Sequence, residues 1–224
     1  NQLYQRSLQL CRSMEDRLGE AGDANLGRLA LYFGRLGEAD FHLTQALELN
    51  RSIGNRTGEA DVMARRAQVA LYLNELENAR QWSVISAQTA EEVGDLSSLA
   101  LALLVQAQAL AVAGQPRRAA DAWQRAFLLY TGMDQVQLAL NAQAGLAWAC
   151  WQQGRLTEAR QSAGEVAGAL LALPPVPVSE ALWAALTTWQ VLTGLSDPRA
   201  TDVLQAAGLQ LLAQAERIEP SQRQ

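Results

Sequence analysis

The segment GRLGEA, at Gly34–Ala39, decides the fold of this chain, because related segments recur along it at one fixed interval. Each segment begins with a residue that breaks a helix and ends, five positions later, with alanine. The other three copies follow at intervals of forty residues, beginning at Asn74, Gly114 and Gly154. Self-similarity at a period of about 20 to 50 residues is typical of stacked structural repeats. Such a stack offers a long surface for binding and contains no catalytic centre by default.

The composition predicts an all-α chain. It has 224 residues, of which 49% are hydrophobic and only 6 are proline. Alanine and leucine are abundant and β-branched residues are sparse, a bias that favours helices over strands. A repeat array can reach this length because each repeat contacts only its neighbours. No run of about 18 uncharged apolar residues occurs, so we expect no membrane span.

Charge and cysteine content exclude further classes of function. The net charge is −5, and no basic stripe of the kind that binds a nucleic-acid duplex is present, so we expect no nucleic-acid partner. In a stack, Cys11 and Cys150 would lie too far apart for a disulfide. Nothing in the sequence indicates an oxidising compartment, and the first residue is Asn rather than Met. We therefore expect a piece of a longer cytoplasmic protein.

The spacing of the helix breakers predicts a lone helix at about residues 3–16, followed by five helix pairs. The pairs are expected at about residues 21–33 with 38–53, 59–73 with 76–93, 97–113 with 116–130, 135–153 with 156–172, and 179–193 with 198–218. Three prolines within residues 174–177 exclude a helix there. We therefore expect repeats over residues 1–173 and a divergent fifth pair over residues 178–219, all within one solenoid domain.

The residues at the predicted helix ends are consistent with these boundaries. Either Ser196 or Asp197 can cap the start of the last helix. Gly54, Gly94 and Gly132 suit helix C-termini, where a residue in the left-handed region is favoured.

Two further series of small residues keep the same register. Twelve positions before the last alanine of each breaker segment lie Gly27, Ala67, Ala107 and Ala147. Seven positions after that alanine lie Ala46, Ser86, Ala126 and Val166. Small residues at such points let paired helices approach closely. Three larger residues are predicted to fill the gaps between them, namely Leu43, Ile85 and Trp123.

These segments resemble tetratricopeptide repeats (TPR) in a 40-residue form. The family pattern has small residues at its eighth, twentieth and twenty-seventh positions, which Gly27, Ala39 and Ala46 match in the first repeat. The stretch Ile53–Ala60 is similar to a linker in a subset found in large bacterial signal-transduction ATPases and ATP-dependent transcriptional activators. The resemblance covers about residues 3–172, and the remainder more loosely. It implies an all-α, right-handed solenoid.

No constellation of catalytic or metal-binding residues occurs in the sequence. The single histidine, His42, has no second His or Cys within helical reach. Cys150 falls where a repeat buries an apolar residue, so we expect it to behave as a small hydrophobe. Gly34 and Gly37 join two helices and lack the lysine of a phosphate-binding loop. We expect a protein that is not an enzyme and has no cofactor and no metal.

In tetratricopeptide stacks the first helix of each pair lines a concave groove, and the resemblance places nine residues of this chain there. They are Arg28, Tyr32, Gln68, Tyr72, Leu104, Gln108, Asn141, Trp148 and Trp151. Trp148 and Trp151 lie three positions apart and share one helix face, where packing between repeats is the alternative to partner binding. In the groove, the amides would bond a peptide backbone, and the aromatic rings would anchor side chains.

Two functions remain open at this point. The first is a protein-interaction and sensing module of a bacterial signalling or transcription-regulatory protein, which binds a partner segment in the groove. The second is a sensor of a sugar or metabolite, because some bacterial activators that this chain resembles sense such ligands through a repeat solenoid. The chain has no lysine, which argues against the clamp that holds acidic chaperone tails. Homodimerisation through an uncapped N-terminal end or the groove is a further alternative.

Overall fold

The computed structural model describes residues 22–172 and 178–215, which form ten α-helices and no β-strand. In chain order the helices are α1 (Asp23–Tyr32), α2 (Leu36–Ser52), α3 (Arg56–Tyr72), α4 (Leu76–Val93), α5 (Leu96–Val112), α6 (Pro116–Gly132), α7 (Val136–Gln152), α8 (Leu156–Ala172), α9 (Val178–Gly194) and α10 (Arg199–Ala215). The predicted all-α class and all ten helices of the five predicted pairs are confirmed. The lone helix predicted at residues 3–16 lies outside the described residues.

The recurring breaker forms the turn between the first and second helix of each of the first four pairs. Gly34, Gly114 and Gly154 have φ values of 70°, 71° and 73°, and Asn74 has a φ of 61°. Glycine adopts this left-handed conformation without a steric penalty, and asparagine is one of the few other residues that tolerates it. After Gly34, Asn74 and Gly154, the next backbone N–H donates to a carbonyl in the last turn of the first helix. One example is the bond from Arg35 to the carbonyl of Ala30, at 2.9 Å.

The predicted helix ends between pairs are partly confirmed. Gly54 and Gly94 have φ values of 70° and 72° and end α2 and α4 as expected. The prediction for Gly132 is wrong, because it lies within α6, and Asp134 takes the left-handed conformation instead, with a φ of 56°. Aspartate tolerates this conformation because its short polar side chain can bond locally.

The small residues predicted at the helix crossings are buried. Their relative exposure is 0% at Ala39, Ala46, Ala67, Ala79, Ser86, Ala107, Ala119, Ala126, Ala147, Ala159 and Val166. Of the predicted gap fillers, Leu43 and Trp123 are 0% and 1% exposed, but Ile85 is 44% exposed, so its assignment is wrong. The position forty residues after Leu43 is Ser83, which is fully buried. Ile85 lies two residues further along α4 and therefore points to another side of the helix.

The chain divides into two compact units, Asn1–Ala113 and Gly114–Gln224, which we call the N-terminal unit and the C-terminal unit. In the N-terminal unit, Leu43 of α2 and Met63 of α3 belong to one buried apolar cluster. In the C-terminal unit, a second cluster joins α7, α8, α9 and α10. The predicted boundary after the repeats falls at residues 173–177, outside the described residues, so it stays a prediction.

Trp123 of α6 packs directly over Gly145 of α7 in the C-terminal unit. The indole is 1% exposed, and a Cβ added at Gly145 would lie 2.2 Å from ring atom Cε2 of Trp123. No real Cβ approaches a ring atom so closely, and a fully buried indole has little room to move. The glycine is therefore required by the size of the residue that faces it.

We expect Gly145→Ala to lower the free energy of unfolding by roughly 1–3 kcal/mol, because the added methyl group overpacks the site. Gly168→Ala on α8 is the matched control, since a Cβ there would meet nothing within 4 Å. The control should stabilise the protein by about 0.5–1 kcal/mol through helix propensity. Chemical denaturation followed by far-UV circular dichroism measures both. Equal effects of the two substitutions would contradict this account of Gly145.

Asp197 holds the start of α10 against the first turns of α8. Its carboxylate accepts bonds from the Arg199 guanidinium at 2.8 and 2.9 Å, from the Arg199 backbone N–H at 3.1 Å, and from Arg160 at 2.9 Å. Arg160 also donates to the carbonyl of Leu195 at 2.8 Å. Of the two predicted capping residues, Asp197 is the one that caps. The hydrogen bonds from Arg199, aided by Arg160, hold the pKa of Asp197 well below its usual value.

We expect Asp197→Ala to lower the free energy of unfolding at neutral pH by about 1–2 kcal/mol. A carboxyl group whose pKa is depressed by folding stabilises the protein above its unfolded pKa, here 3.8, and loses that effect as the pH falls. The difference between wild type and variant should therefore shrink progressively between about pH 5 and about pH 2. Denaturation series at several pH values test this. A difference that is constant with pH would exclude a role for the charge.

Candidate functional site

In the N-terminal unit, α1, α3 and α5 are the first helices of their pairs, and their outer residues form two columns. The first column consists of Arg28, Gln68 and Gln108. The second column consists of Tyr32, Tyr72 and Val112, which are 56%, 57% and 62% exposed. Residues of the two columns are four apart on each helix and therefore share one face. We call this surface the first-helix face of the N-terminal unit.

The first-helix face combines hydrogen-bonding groups with exposed apolar surface. Gln68 donates from Nε2 to the hydroxyl of Tyr72 at 3.2 Å, which links the two columns on α3. Arg28 donates to the side-chain oxygen of Asn25 at 3.4 Å. Of the arginines on α1, α3 and α5, only Arg28 contacts no carboxylate among the described residues. Among the residues that the structure describes, no side chain therefore neutralises its positive charge.

Leu104 is the predicted groove residue of the N-terminal unit that the structure buries. It is 6% exposed, and Ala64, forty residues earlier, is 0% exposed. This position on the first helices therefore contributes to the core and offers little surface to a partner.

In the C-terminal unit, the predicted residues of α7 are packed more tightly than those of the N-terminal unit. Asn141 is 5% exposed. The half-buried Trp148 lies edge-on to Trp123, with 6.1 Å between the ring centroids. Trp151 lies against Gly194 of α9, where an added Cβ would be 2.2 Å from the Trp151 ring. Both tryptophans thus pack between helices and keep part of their surface exposed. Their role in binding stays a prediction.

Three buried polar atoms of the C-terminal unit have no hydrogen-bond partner within the described ranges. They are Trp123 Nε1, Asn141 Oδ1 and Thr188 Oγ1. Leaving such an atom unpaired costs roughly 1–3 kcal/mol, so each is expected to have a reason. Gly145, which Trp123 covers, is one helical turn from Asn141 on α7. The donor Trp123 Nε1 and the acceptor Asn141 Oδ1 therefore lie on one side of this helix.

A histidine–aspartate pair was not predicted from the sequence. His42 Nδ1 of α2 lies 2.8 Å from Asp23 Oδ1 at the start of α1, and the aspartate is 4% exposed. The two residues are 19 positions apart and meet only because the helices fold back on each other. Among the described residues, no group of three or more His, Cys, Asp or Glu side chains could hold a metal ion. The pair joins the start of α1 to α2.

The sequence also did not predict an open cleft of about 370 Å³ in the C-terminal unit. Its lining residues are Ala120, Asp121, Gln124, Leu146, Cys150, Arg155, Glu158, Gln161, Ser162 and Glu165. They come from α6, α7 and α8, mostly from second helices of pairs, so the cleft is separate from the predicted groove residues. Burial raises the pKa of the Cys150 thiol, which therefore stays protonated and unreactive near neutral pH. This agrees with the expected role of Cys150 as a small hydrophobe.

No protein-family model and no curated protein match this sequence. Solved structures do match. BtubC (BKLC) from P. vanneervenii is similar with a TM-score of 0.73 and 13% identity, over 95% of this chain and 89% of that one. A putative kinesin light chain from Podosopora anserina, with nearly identical TPR-like repeats, is similar with a TM-score of 0.60 and 14% identity, over 88% of this chain and 95% of that one.

These similarities establish the class of the fold, a TPR-like α-solenoid, and at such low identity they establish nothing more. The tetratricopeptide resemblance seen in the sequence is thereby confirmed at the level of fold. In the described part of the chain, no helix has the length and apolar character required to cross a bilayer.

Proposed function

We propose that this chain is a protein-interaction module that binds a segment of a partner protein along the first-helix face of the N-terminal unit. The observation that carries the proposal is the pairing of the two columns on that face. An exposed aromatic or aliphatic side chain lies four residues from an amide or a guanidinium on each of α1, α3 and α5. Apolar contacts would supply affinity, and the polar column would bond the backbone of the partner.

The spacing of the columns favours an extended partner segment. Helices that pack side by side lie about 8–10 Å apart, which sets the distance between Tyr72 on α3 and Val112 on the neighbouring α5. An extended segment in the polyproline II conformation advances about 3.1 Å per residue with three residues per turn, so every third side chain lies on one face and would meet the next helix. A partner with apolar side chains at that interval would contact successive members of the apolar column.

Arg28 favours an acidic residue in the partner, near the α1 end of the face. Its guanidinium contacts only the neutral Asn25 side chain among the described residues, so a carboxylate could form a charge-assisted hydrogen bond with it. Asp61 and Arg65 on the neighbouring α3 pair with each other at 2.8 Å and contribute little net charge. We therefore infer a segment that combines apolar residues with at least one acidic residue.

The proposal extends to the larger context of the chain. We infer a cytoplasmic bacterial protein of signal transduction or transcription regulation, which this module would connect to a partner. The similarity of Ile53–Ala60 to the linker of large signal-transduction ATPases and ATP-dependent activators supports this context. The structural neighbour described as having TPR-like repeats supports the scaffold role without adding to the context.

A second candidate function is binding of a small polar ligand such as a sugar in the C-terminal unit. The unpaired atoms Trp123 Nε1, Asn141 Oδ1 and Thr188 Oγ1 favour it, because a ligand with hydroxyl groups could complete their hydrogen bonds. The partly exposed rings of Trp148 and Trp183, packed around Trp123, would offer apolar faces to a sugar ring. Binding would require these rings to move, since the polar atoms beneath them are buried.

The first proposal predicts that Tyr72→Ala weakens binding of peptides selected from a displayed library of random twelve-residue sequences. Removing one exposed aromatic anchor should cost about 1–2 kcal/mol, a loss of roughly five- to thirty-fold in affinity. Helical circular dichroism should stay unchanged, because the side chain is 57% exposed. Fluorescence anisotropy of labelled peptides measures the affinity.

Phe41→Ala is the matched control for Tyr72→Ala. Phe41 is an aromatic residue that is 62% exposed, but it lies on α2, a second helix, so peptide binding should not change. Arg28→Gln should selectively weaken peptides that carry an acidic residue. If no peptide is enriched, or if both aromatic substitutions have equal effects, the first-helix face is not the binding surface.

The second candidate predicts that one or more sugars in a panel of mono- and disaccharides raise the unfolding temperature. At a concentration of about 100 times its Kd, a ligand stabilises a protein by about 2.7 kcal/mol. Asn141→Leu should abolish that shift and leave the unliganded protein as stable or more stable, because it removes an unpaired buried acceptor. Differential scanning fluorimetry gives both readouts, and a panel without any shift would refute this function.

A further inference from the structure

The open cleft of the C-terminal unit lies where three consecutive helices meet. One residue of each helix carries the argument that follows, namely Ala120 of α6, Leu146 of α7 and Ser162 of α8. Two of these side chains are small and none is charged, and the space beside them stays open, with a volume of about 370 Å³.

The forty-residue repeat identifies the equivalent positions in the N-terminal unit. Helices α2, α3 and α4 each begin eighty residues before α6, α7 and α8. With the same offset, the residues equivalent to Ala120, Leu146 and Ser162 are Asp40, Arg66 and Trp82. All six residues are partly buried, so the equivalence holds in the structure as well as in the sequence.

In the N-terminal unit these three positions together bind a guanidinium group. Arg66 donates from Nε and from Nη2 to Asp40 Oδ1, at 3.2 and 3.1 Å. The central carbon of its guanidinium lies 4.6 Å from the centroid of the Trp82 ring. A carboxylate and an indole face both attract a guanidinium. In the C-terminal unit Leu146 stands in place of Arg66, so the chain supplies no guanidinium from this position and the cleft stays open.

The carboxylates that line the cleft give it a charge complementary to a guanidinium. Glu165 accepts hydrogen bonds from two neutral glutamines, at 2.7 and 3.1 Å, which leave its negative charge uncompensated. Asp121 is exposed and forms no hydrogen bond or ion pair with any other described residue. The cation in the lining, Arg155, pairs with Glu158. The lining therefore has an excess of negative charge.

We propose that the cleft binds the side chain of an arginine that belongs to a partner polypeptide. The guanidinium would form charge-assisted hydrogen bonds with Asp121 and Glu165. The aliphatic stem would pack against Leu146 and the uncharged thiol of Cys150. Pockets of about 300 Å³ and more accept small ligands, so one side chain fits. Because the cleft is open on one side, the side chain can enter while its backbone stays outside. This site is additional to the first-helix face and independent of it.

Titration of the full chain with N-acetyl-L-arginine amide, followed by ¹H–¹⁵N NMR, tests the proposal. This probe carries one guanidinium on an uncharged backbone, as an arginine within a polypeptide does. We expect saturable binding with a Kd of about 1 mM, because a single side chain forms the contact. The largest shift changes should occur in α6, α7 and α8. N-acetyl-L-citrulline amide has the same shape without the charge and should bind about tenfold more weakly.

Asp121→Asn should raise the Kd of the arginine probe about five- to tenfold, because it removes one of the two uncompensated carboxylates. The side chain is exposed, so the fold should not change. Asp202→Asn is the matched control. Asp202 is an exposed aspartate of α10 outside the cleft lining, and its substitution changes the net charge by the same amount. The control should bind the probe like the wild type.

The triple variant Ala120→Asp, Leu146→Arg, Ser162→Trp transfers the arrangement of the N-terminal unit to the cleft. Its own guanidinium should then occupy the cleft, so binding of the arginine probe should be lost. Far-UV circular dichroism should stay unchanged, since the equivalent helices of the N-terminal unit accommodate the same three side chains.

The absence of saturable binding up to about 20 mM probe would overturn the proposal, because the Kd would then be far above the expected value. Equal affinity for the citrulline probe, or equal effects of Asp121→Asn and Asp202→Asn, would overturn it too. Shift changes confined to α1, α3 and α5 would assign arginine binding to the first-helix face instead. Tighter binding of free L-arginine than of the amide would identify a metabolite as the ligand and exclude a partner polypeptide. None of these outcomes involves Tyr72, so they leave the peptide-binding proposal untouched.

Discussion

The close approach of neighbouring helices at small residues is the constraint on which the rest of this structure depends. Ala39, Ala79, Ala119 and Ala159 have no exposed surface, and any larger side chain there would force its helix away from the neighbouring one. Larger residues are accommodated where glycine faces them. Leu43 packs against Gly27, and Trp123 packs against Gly145, at distances that leave no room for a Cβ. The left-handed turn that precedes Ala39, Ala79 and Ala159 brings the second helix of each of these pairs back onto the first.

This packing leaves specific surfaces free, and both functional proposals concern such surfaces. In the N-terminal unit the outer face of the first helices carries exposed tyrosines beside amides and an arginine, which suits binding of a peptide. In the C-terminal unit, the corresponding face of α7 packs around Trp123. The binding proposed for this unit therefore depends on buried polar atoms. The same repeated geometry thus creates different binding properties wherever one residue is larger than its equivalents in other repeats.

The candidate site could be predicted from the sequence only in part. The tetratricopeptide resemblance, together with the forty-residue register, placed Tyr32, Tyr72 and Arg28 on one face of the first helices, and the structure exposes them. Register could not show that Leu104 and Asn141 are buried, since burial depends on the sizes of side chains contributed by other helices. Ile85 was misplaced for a different reason, because it lies two residues off the register that spaces Leu43, Ser83 and Trp123 forty residues apart. The His42–Asp23 pair and the cleft beside Cys150 join residues from different helices and leave no mark in the local pattern.

The sequence by itself determined the helices, the positions of their turns and the small residues at their crossings. Those features depend on backbone conformation and on side-chain volume, which are local properties repeated every forty residues. Only the tertiary structure decided which buried polar atoms lack a partner among the described residues and which tryptophans pack between helices. Each of these depends on distances between helices that are far apart in the chain, and such distances follow from how all the side chains in a unit pack together.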